Sequence, residues 1–324
     1  MAGTGLSQPP VALLNTMNAA TQQYLAPFLG DVVFKPSAAW WGFTREGIFL
    51  RGGGALTYPI LSTLESSGGP YWGAQLLDTN IEDNVVPATQ VWRPYAKPIV
   101  IPYTDLMMNR GYGSLDLLQI KYESATLTFL QQISQAMWGI SPRNTTLDVD
   151  NLVNWVGTQN NTIAGINRSS NAFWNPVAPL SQSGGGALLP ATANQVFFSI
   201  SKGYETPNLL LMSPTSFAAF MNNFTSLNRF DQNLQDKEAV QAGFRLNFYW
   251  NTATVLPEAV MPTTQAYFFN TKYIFPTFLE SDYFVTEPWT KPTNQRILVS
   301  YFYLTWQIMC LSPVYAGANI YNIT

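Results

Sequence analysis

Three pairs of nearby carboxylates, Glu82/Asp83, Asp148/Asp150 and Glu280/Asp282, are the groups whose type and spacing could do acid–base work in a cleft. The same pairs could hold a hard cation such as Ca²⁺ through oxygen ligands. No partner chemistry accompanies them. The sequence has no histidine, which excludes Ser–His–acid and Cys–His arrangements and histidine metal ligation. The patterns G-x-S-x-G, G-x-G-x-x-G and G-x-x-x-x-G-K-[ST] are all missing. No lysine follows Gly52-Gly53-Gly54 or Gly184-Gly185-Gly186, so both read as turns or flexible loops. The single cysteine, Cys310, excludes an internal disulfide. Its run Ile308-Met309-Cys310-Leu311 marks it as a small buried hydrophobe. Loop carboxylates are ordinarily just solvated, so no catalytic, cofactor-binding or metal-binding residue is assigned, no cofactor is expected, and the chain is not read as an enzyme.

Composition points to a different role. Charged residues make up 11% of the 324 residues and aromatics 14%, whereas about one-quarter of an ordinary soluble domain is charged. Such a surface is short of the groups that keep a protein solitary in water. Other protein is expected to cover much of it. The net charge of −3, with sixteen basic residues spread thinly, argues against a protein that reads nucleic acid by neutralising many phosphates. The start, Met1-Ala2-Gly3-Thr4-Gly5, carries neither the positive charge nor the apolar block of a secretory signal. The Asn-x-Ser/Thr sequons at Asn144, Asn160, Asn167, Asn223 and Asn322 therefore carry little weight, and synthesis in the cytoplasm is expected. Ile297–Leu311 is apolar but shorter than the roughly 20 residues of a spanning helix. Its Val, Ile, Tyr, Phe and Trp predict a buried strand.

A chain of this length exceeds the roughly 250–300 residues at which one core stops growing, so two packed parts or long excursions are expected. Residues 1–35, uncharged until Asp31, read as an arm laid on a neighbour or disordered. From Trp40 to Pro102 extended runs alternate with turn clusters such as Ser66-Ser67-Gly68-Gly69-Pro70. Prolines inside those runs predict a long, weakly anchored two-stranded excursion that leans on another subunit. One long helix follows. Ser114 is placed to cap it, Asp116 to favour its N-terminal end and Gly139 to stop it. Leu115, Leu118, Tyr122, Ala125, Phe129, Gln132 and Ala136 recur at helical spacing, with Leu117, Ile120, Leu127, Leu130 and Met137 beside them. That pattern predicts a helix of roughly 36 Å covered on more than one side. Beyond polar loops at 142–171, Leu209–Met212 reads as a buried strand and Ser213-Pro214 as a helix start. Phe217, Phe220, Met221 and Phe224 give that helix its buried face, and Phe244–Tyr249 and Gln265–Ile274 read as further strands.

The order of these elements (arm, extended loop, spine helix, mixed region, returning strand) resembles the major capsid proteins of tailed bacteriophages. Local phrases are similar too. Ala164-Gly165-Ile166-Asn167-Arg168-Ser169 with Trp174 is similar to a family phrase Gly-Gly/Ala-Ile-x-Arg-Ser followed by tryptophan. Leu210-Leu211-Met212-Ser213-Pro214 resembles its strand-then-helix step, and Met261-Pro262 with Asn270-Thr271-Lys272-Tyr273-Ile274 a later one. Pro292-Thr293-Asn294-Gln295, leading into the last strand, is also of this type. The resemblance implies an α+β capsid fold with an N-terminal arm (1–35), an E-loop (36–102), a P-domain with the spine helix (103–144), an A-domain (145–288) and C-terminal strands returning to the P-domain (289–324). It implies a shell subunit of the virion, made in the host cytoplasm and assembling with itself as pentamers and hexamers around double-stranded DNA. Separate scaffolding, portal and decoration proteins are the further partners it suggests, with packaged DNA on the inner face and no membrane. Some relatives weld neighbours through an E-loop lysine; here that loop holds Lys97 alone, without an assignable companion, and no crosslink is expected. The alternatives are an encapsulin-like nanocompartment shell and an extracellular glycan-binding β-rich protein.

Overall fold

The computed structural model describes residues 37–66, 69–74, 76, 82–108, 117–140, 146–182, 185–222 and 248–323. The expected arm, the Ser114 cap with Asp116, Phe224 and residues 244–247 lie outside them. The chain divides into two compact units. The smaller contains Pro94–Ile133 and Asp282–Leu304; the larger contains Pro36–Arg93, Ser134–Ser281 and Thr305–Thr324.

In the larger unit a six-stranded sheet runs in the order β7-β14-β11-β8-β10-β9. Its strands are β7 (Leu180–Ser181), β8 (Leu209–Met212), β9 (Phe248–Trp250), β10 (Ala253–Pro257), β11 (Ala266–Phe269) and β14 (Gly317–Tyr321). β8 is parallel to β10 and antiparallel to β11, and every residue of β8 and β11 is buried. A strand covered on both faces must be apolar throughout rather than alternating, which is why Leu209-Leu210-Leu211-Met212 is legible as a core strand. One face, including Leu210, Met212, Val255 and Phe268, packs with Val196 and Phe197 of α4 (Pro190–Ser199) and Phe217 and Phe220 of α5 (Pro214–Asn222). The Ser213 hydroxyl accepts the Ser216 N–H at 3.2 Å, capping α5 as its sequence predicts. On the other face Tyr267 and Phe269 meet Trp138 at 5.2 and 6.2 Å, and Phe269 meets Phe43 of α1 (Ala38–Thr44) at 5.1 Å. Buried Glu258 fixes the start of α1, accepting from Ser37 Oγ at 2.9 Å and the Ala39 N–H at 2.7 Å. Burial drives its carboxyl pKa up, against the pull of those donors.

A second sheet has the order β1-β12-β13-β4, built from β1 (Ile48–Leu50), β4 (Arg93–Pro102), β12 (Ile274–Thr286) and β13 (Ile297–Cys310). The apolar run near the C-terminus is thus a strand, and no described helix is long and apolar enough to cross a membrane.

The long helix, α3 (Leu117–Met137), follows a short helix, α2 (Tyr103–Met108). It ends in a Schellman motif: Gly139 has φ 68°, its N–H bonds the Ala136 carbonyl, and the Ile140 N–H reaches Gln135. Ala125, Phe129, Ile133, Ala136 and Met137 form a single buried stripe, whereas Leu127 and Leu130 are only partly covered. The expectation of cover on more than one side is therefore not met among the described residues. In the smaller unit Phe129 stacks on Phe302 and meets the edge of Phe284, while Tyr122 meets Phe302 at 4.8 Å.

Candidate functional site: the β2–β3 ribbon and its anchor

β2 (Leu56–Leu61) and β3 (Val85–Gln90) form an antiparallel two-stranded sheet of their own. Prolines are tolerated here for a geometric reason. Thr89 directs its N–H away from β2, to the Ala164 carbonyl at 2.9 Å. Pro87, two residues back, has the same outward orientation and sits opposite Pro59, so neither proline removes a ladder bond.

The ribbon is not weakly held. Burial alternates strictly along β2, with Leu56, Tyr58 and Ile60 inward, joined by Ala88 and Gln90 from β3. The isolated excursion expected from the sequence is confined to the part beyond Leu61. A polar knot secures the base. Gln90 Nε2 donates to Asp150 Oδ2 at 2.7 Å and to the Ile308 carbonyl at 2.9 Å, and its Oε1 accepts from Tyr58. Gln307 donates to Asp150 and to the Val91 carbonyl, and accepts the Asp150 and Ile308 N–H groups. The Cys310 thiol in the same strand is fully buried, and burial pushes its pKa up to about 12. It is inert, as its apolar run implies.

Beside the base, Arg168 is buried among neutral acceptors. It donates to the carbonyls of Asn154, Thr158 and Trp155 and to Asn161 Oδ1, at 2.6–3.0 Å. These donations gather the turn of π-helix at Val153–Gly157 against the hairpin of β5 (Thr162–Ile163) and β6 (Ile166–Asn167). Desolvation holds its pKa down to about 10.

The far end of the ribbon is the opposite in character. Trp72 is 89% and Leu76 96% exposed, with Leu64 and Tyr71 also open to solvent. Between Arg51 and Arg93 the sequence has no basic residue and four acidic ones, Glu65, Asp78, Glu82 and Asp83. Glu82 ties the ribbon arms by accepting from the Ser66 N–H and hydroxyl.

The carboxylate pairs are not brought together. Asp150 belongs to the amide knot, Glu82 binds Ser66, and Glu280 pairs with Arg51 at 3.1 Å on the surface. Among the described residues no group of three or more His, Cys, Asp or Glu is placed to hold a metal ion. Lys97 lies on β4. Sequence reasoning missed Gln90 and Gln307, because glutamine in a strand ordinarily marks the solvent side.

No family model and no curated protein sequence matches the chain. Solved structures do match over nearly its whole length. A chain of the cyanophage A-1(L) capsid asymmetric unit superposes with a TM-score of 0.69 at 11% identity, covering 92% of this chain and 96% of that one. The capsid of a native GTA particle gives 0.62 at 9% identity, covering 98% and 100%. The SrpI encapsulin of Synechococcus elongatus PCC 7942 gives 0.55 at 10% identity, covering 98% and 96%. The chain is α+β and has the fold of tailed-phage capsid and encapsulin shell subunits.

Proposed function

We propose that this chain is the major capsid protein of a tailed phage, a structural subunit whose copies close into the icosahedral head around double-stranded DNA. The observation that carries this is the match of a capsid subunit, 96% of it covered, to 92% of the chain, joined to a ribbon whose far end exposes Leu64, Tyr71, Trp72 and Leu76. An isolated subunit gains nothing from leaving such side chains in water; a neighbour that covers them gains about 25 cal/mol for each Å² of apolar surface. With charges scarce, the many contacts of a closed shell form without the desolvation cost of ionic groups. Pentamers and hexamers, a virion location, a separate scaffolding protein, portal and decoration proteins, and DNA against a nearly neutral inner wall all follow from this role, as does the lack of an enzymatic one. The segments 1–35, 36–102, 103–144, 145–288 and 289–324 then serve as arm, E-loop, P-domain, A-domain and returning strands.

The encapsulin match supports a second reading, a nanocompartment shell enclosing an enzyme. Cryo-electron microscopy of the expressed protein, with absorbance of native particles at 260 and 280 nm, tests both. Closed shells containing nucleic acid support the capsid; closed shells filled with protein favour the nanocompartment. A stable monomer at high concentration, with or without its genomic neighbours, overturns both.

A further inference from the structure

The knot at the base of the ribbon is built on one carboxylate and two buried amides drawn from three distant stretches of chain. Asp150 Oδ2 accepts from Gln90 at 2.7 Å and from Gln307 at 3.3 Å, while Gln307 Oε1 takes the Asp150 N–H at 2.9 Å. Each glutamine amide is also held by a backbone carbonyl, Gln90 by Ile308 and Gln307 by Val91. Val91 directly follows β3, so the exchange clamps the end of that strand from both sides. β3 is further fastened by the backbone bond from Thr89 to the Ala164 carbonyl and by the burial of Ala88.

We propose that Asp150 is a positioning residue, the pivot that sets the angle at which the β2–β3 ribbon leaves the subunit; this rests on the shell reading only for its consequence, that the angle fixes how a second copy is met. The inward face of β2 is packed, so the knot acts together with that packing; over its six residues, about 20 Å at about 3.4 Å each, a 10° change in how the ribbon is seated moves the far end by about 3–4 Å. That displacement is as large as a side-chain contact. A loose pivot therefore lets Trp72 and Leu76 find more than one docking geometry, and particles lose their single size. The knot is well suited to such control: its acceptor is a carboxylate, which strengthens both amide bonds, and burial of the glutamines limits the water that could replace a lost acceptor.

The test uses the full chain with Asp150→Ala and, as conservative rescue, Asp150→Asn, which keeps an acceptor oxygen. Hydrogen exchange on the unassembled protein is expected to speed up about tenfold or more at residues 88–91 and 307–308 in Asp150→Ala, less in Asp150→Asn, with β8 and β11 unchanged. Electron microscopy of assembled particles is expected to show a broadened diameter distribution for Asp150→Ala and partial restoration for Asp150→Asn. Unchanged exchange at the ribbon base, or acceleration spread over β8 and β11 alike, overturns the pivot. Local acceleration with particles of wild-type diameter overturns its role in assembly geometry. If the unaltered protein forms no shell, the shell reading fails while the exchange result still decides the pivot.

Discussion

The guanidinium of Arg168 lies over the Trp155 ring, 5.7 Å from its centroid, and donates to the carbonyl of the same residue at 3.0 Å. One side chain thus holds both the face of the tryptophan and the backbone that carries it. Three further acceptors depend on the same group. Replacing Arg168 with Met keeps the volume but strands four acceptors, at a cost of about 3 kcal/mol or more. Arg168→Lys keeps the charge without the planar fork and is expected to recover only part of the loss. Urea denaturation of the unassembled subunit reads both values.

Gly317 is required for closeness rather than for backbone freedom. A Cβ there would stand 2.3 Å from the Phe268 carbonyl oxygen, 3.1 Å from the Phe269 ring and 3.2 Å from Val156. Backbone in the middle of a sheet cannot move aside. Gly317→Ala is expected to cost about 3 kcal/mol or more, seen as a large fall in the denaturation midpoint. Gly54→Ala, in open space, serves as the neutral comparison.

Much of the fold was legible wherever one local signal governed one element. Gly139 ended the long helix because only a left-handed residue closes that motif, and Ser213-Pro214 opened α5 for the same kind of local reason. Ile297–Cys310 was legible as a strand from its β-branched and aromatic residues. Other elements depend on tertiary partners. β12 runs on through Glu280, Ser281 and Asp282, which no hydrophobic pattern marks. α4 starts at Pro190 with Leu189 as a cap that makes no side-chain bond, so the proline at its first position is its one local signal. The ribbon could be seen as two-stranded, yet its inward face includes Gln90, whose burial only Asp150 and Ile308 explain. Arg168 was noticed within a phrase, and its burial could not be read from that phrase at all.

The β5–β6 turn carries a removable strain. Its central residues, Ala164 and Gly165, have φ of 53° and 76°, the positive pair that a two-residue hairpin turn requires. Gly adopts this freely and Asn nearly so, whereas alanine pays about 1 kcal/mol. Ala164 is buried, so the residue that relieves the strain without needing room is glycine, and Ala164→Gly is expected to raise stability by about 0.5–1 kcal/mol. The Ala164 carbonyl that receives Thr89 is unchanged by the substitution. A rise in melting temperature checks this.

Alkaline pH is expected to unfold the subunit. The folded Cys310 thiol is raised to about 12 from an ordinary 9, so the unfolded chain releases its proton first. Stability from this group is full below pH 9 and falls by about 1.4 kcal/mol per pH unit as pH rises from 9 towards 12. Buried Tyr58 and Tyr267, also raised by desolvation, add to the loss above pH 10, while Arg168, lowered to about 10, works against it there. The interval from pH 9 to 10 is therefore where the thiol weighs most, with the tyrosines only beginning to contribute. Denaturation midpoints of wild type should decline across it, and those of Cys310→Ala should stay flatter.

Trp72 separates association from folding. It touches nothing that holds the subunit together, being 89% exposed, so Trp72→Ala is expected to shift stability by less than about 0.5 kcal/mol. Large aromatic side chains at the centre of a contact commonly carry about 2 kcal/mol or more of binding energy. The concentration needed for assembly should then rise about tenfold or more, by light scattering, while the melting temperature of the unassembled protein stays constant. Trp72→Lys should impair assembly further, because the contact would have to desolvate an added charge that a basic partner surface repels. The four acids between Arg51 and Arg93 make a basic partner surface the expected one. Assembly of Trp72→Ala at wild-type concentration would show that the ribbon end lies outside the contacts between copies.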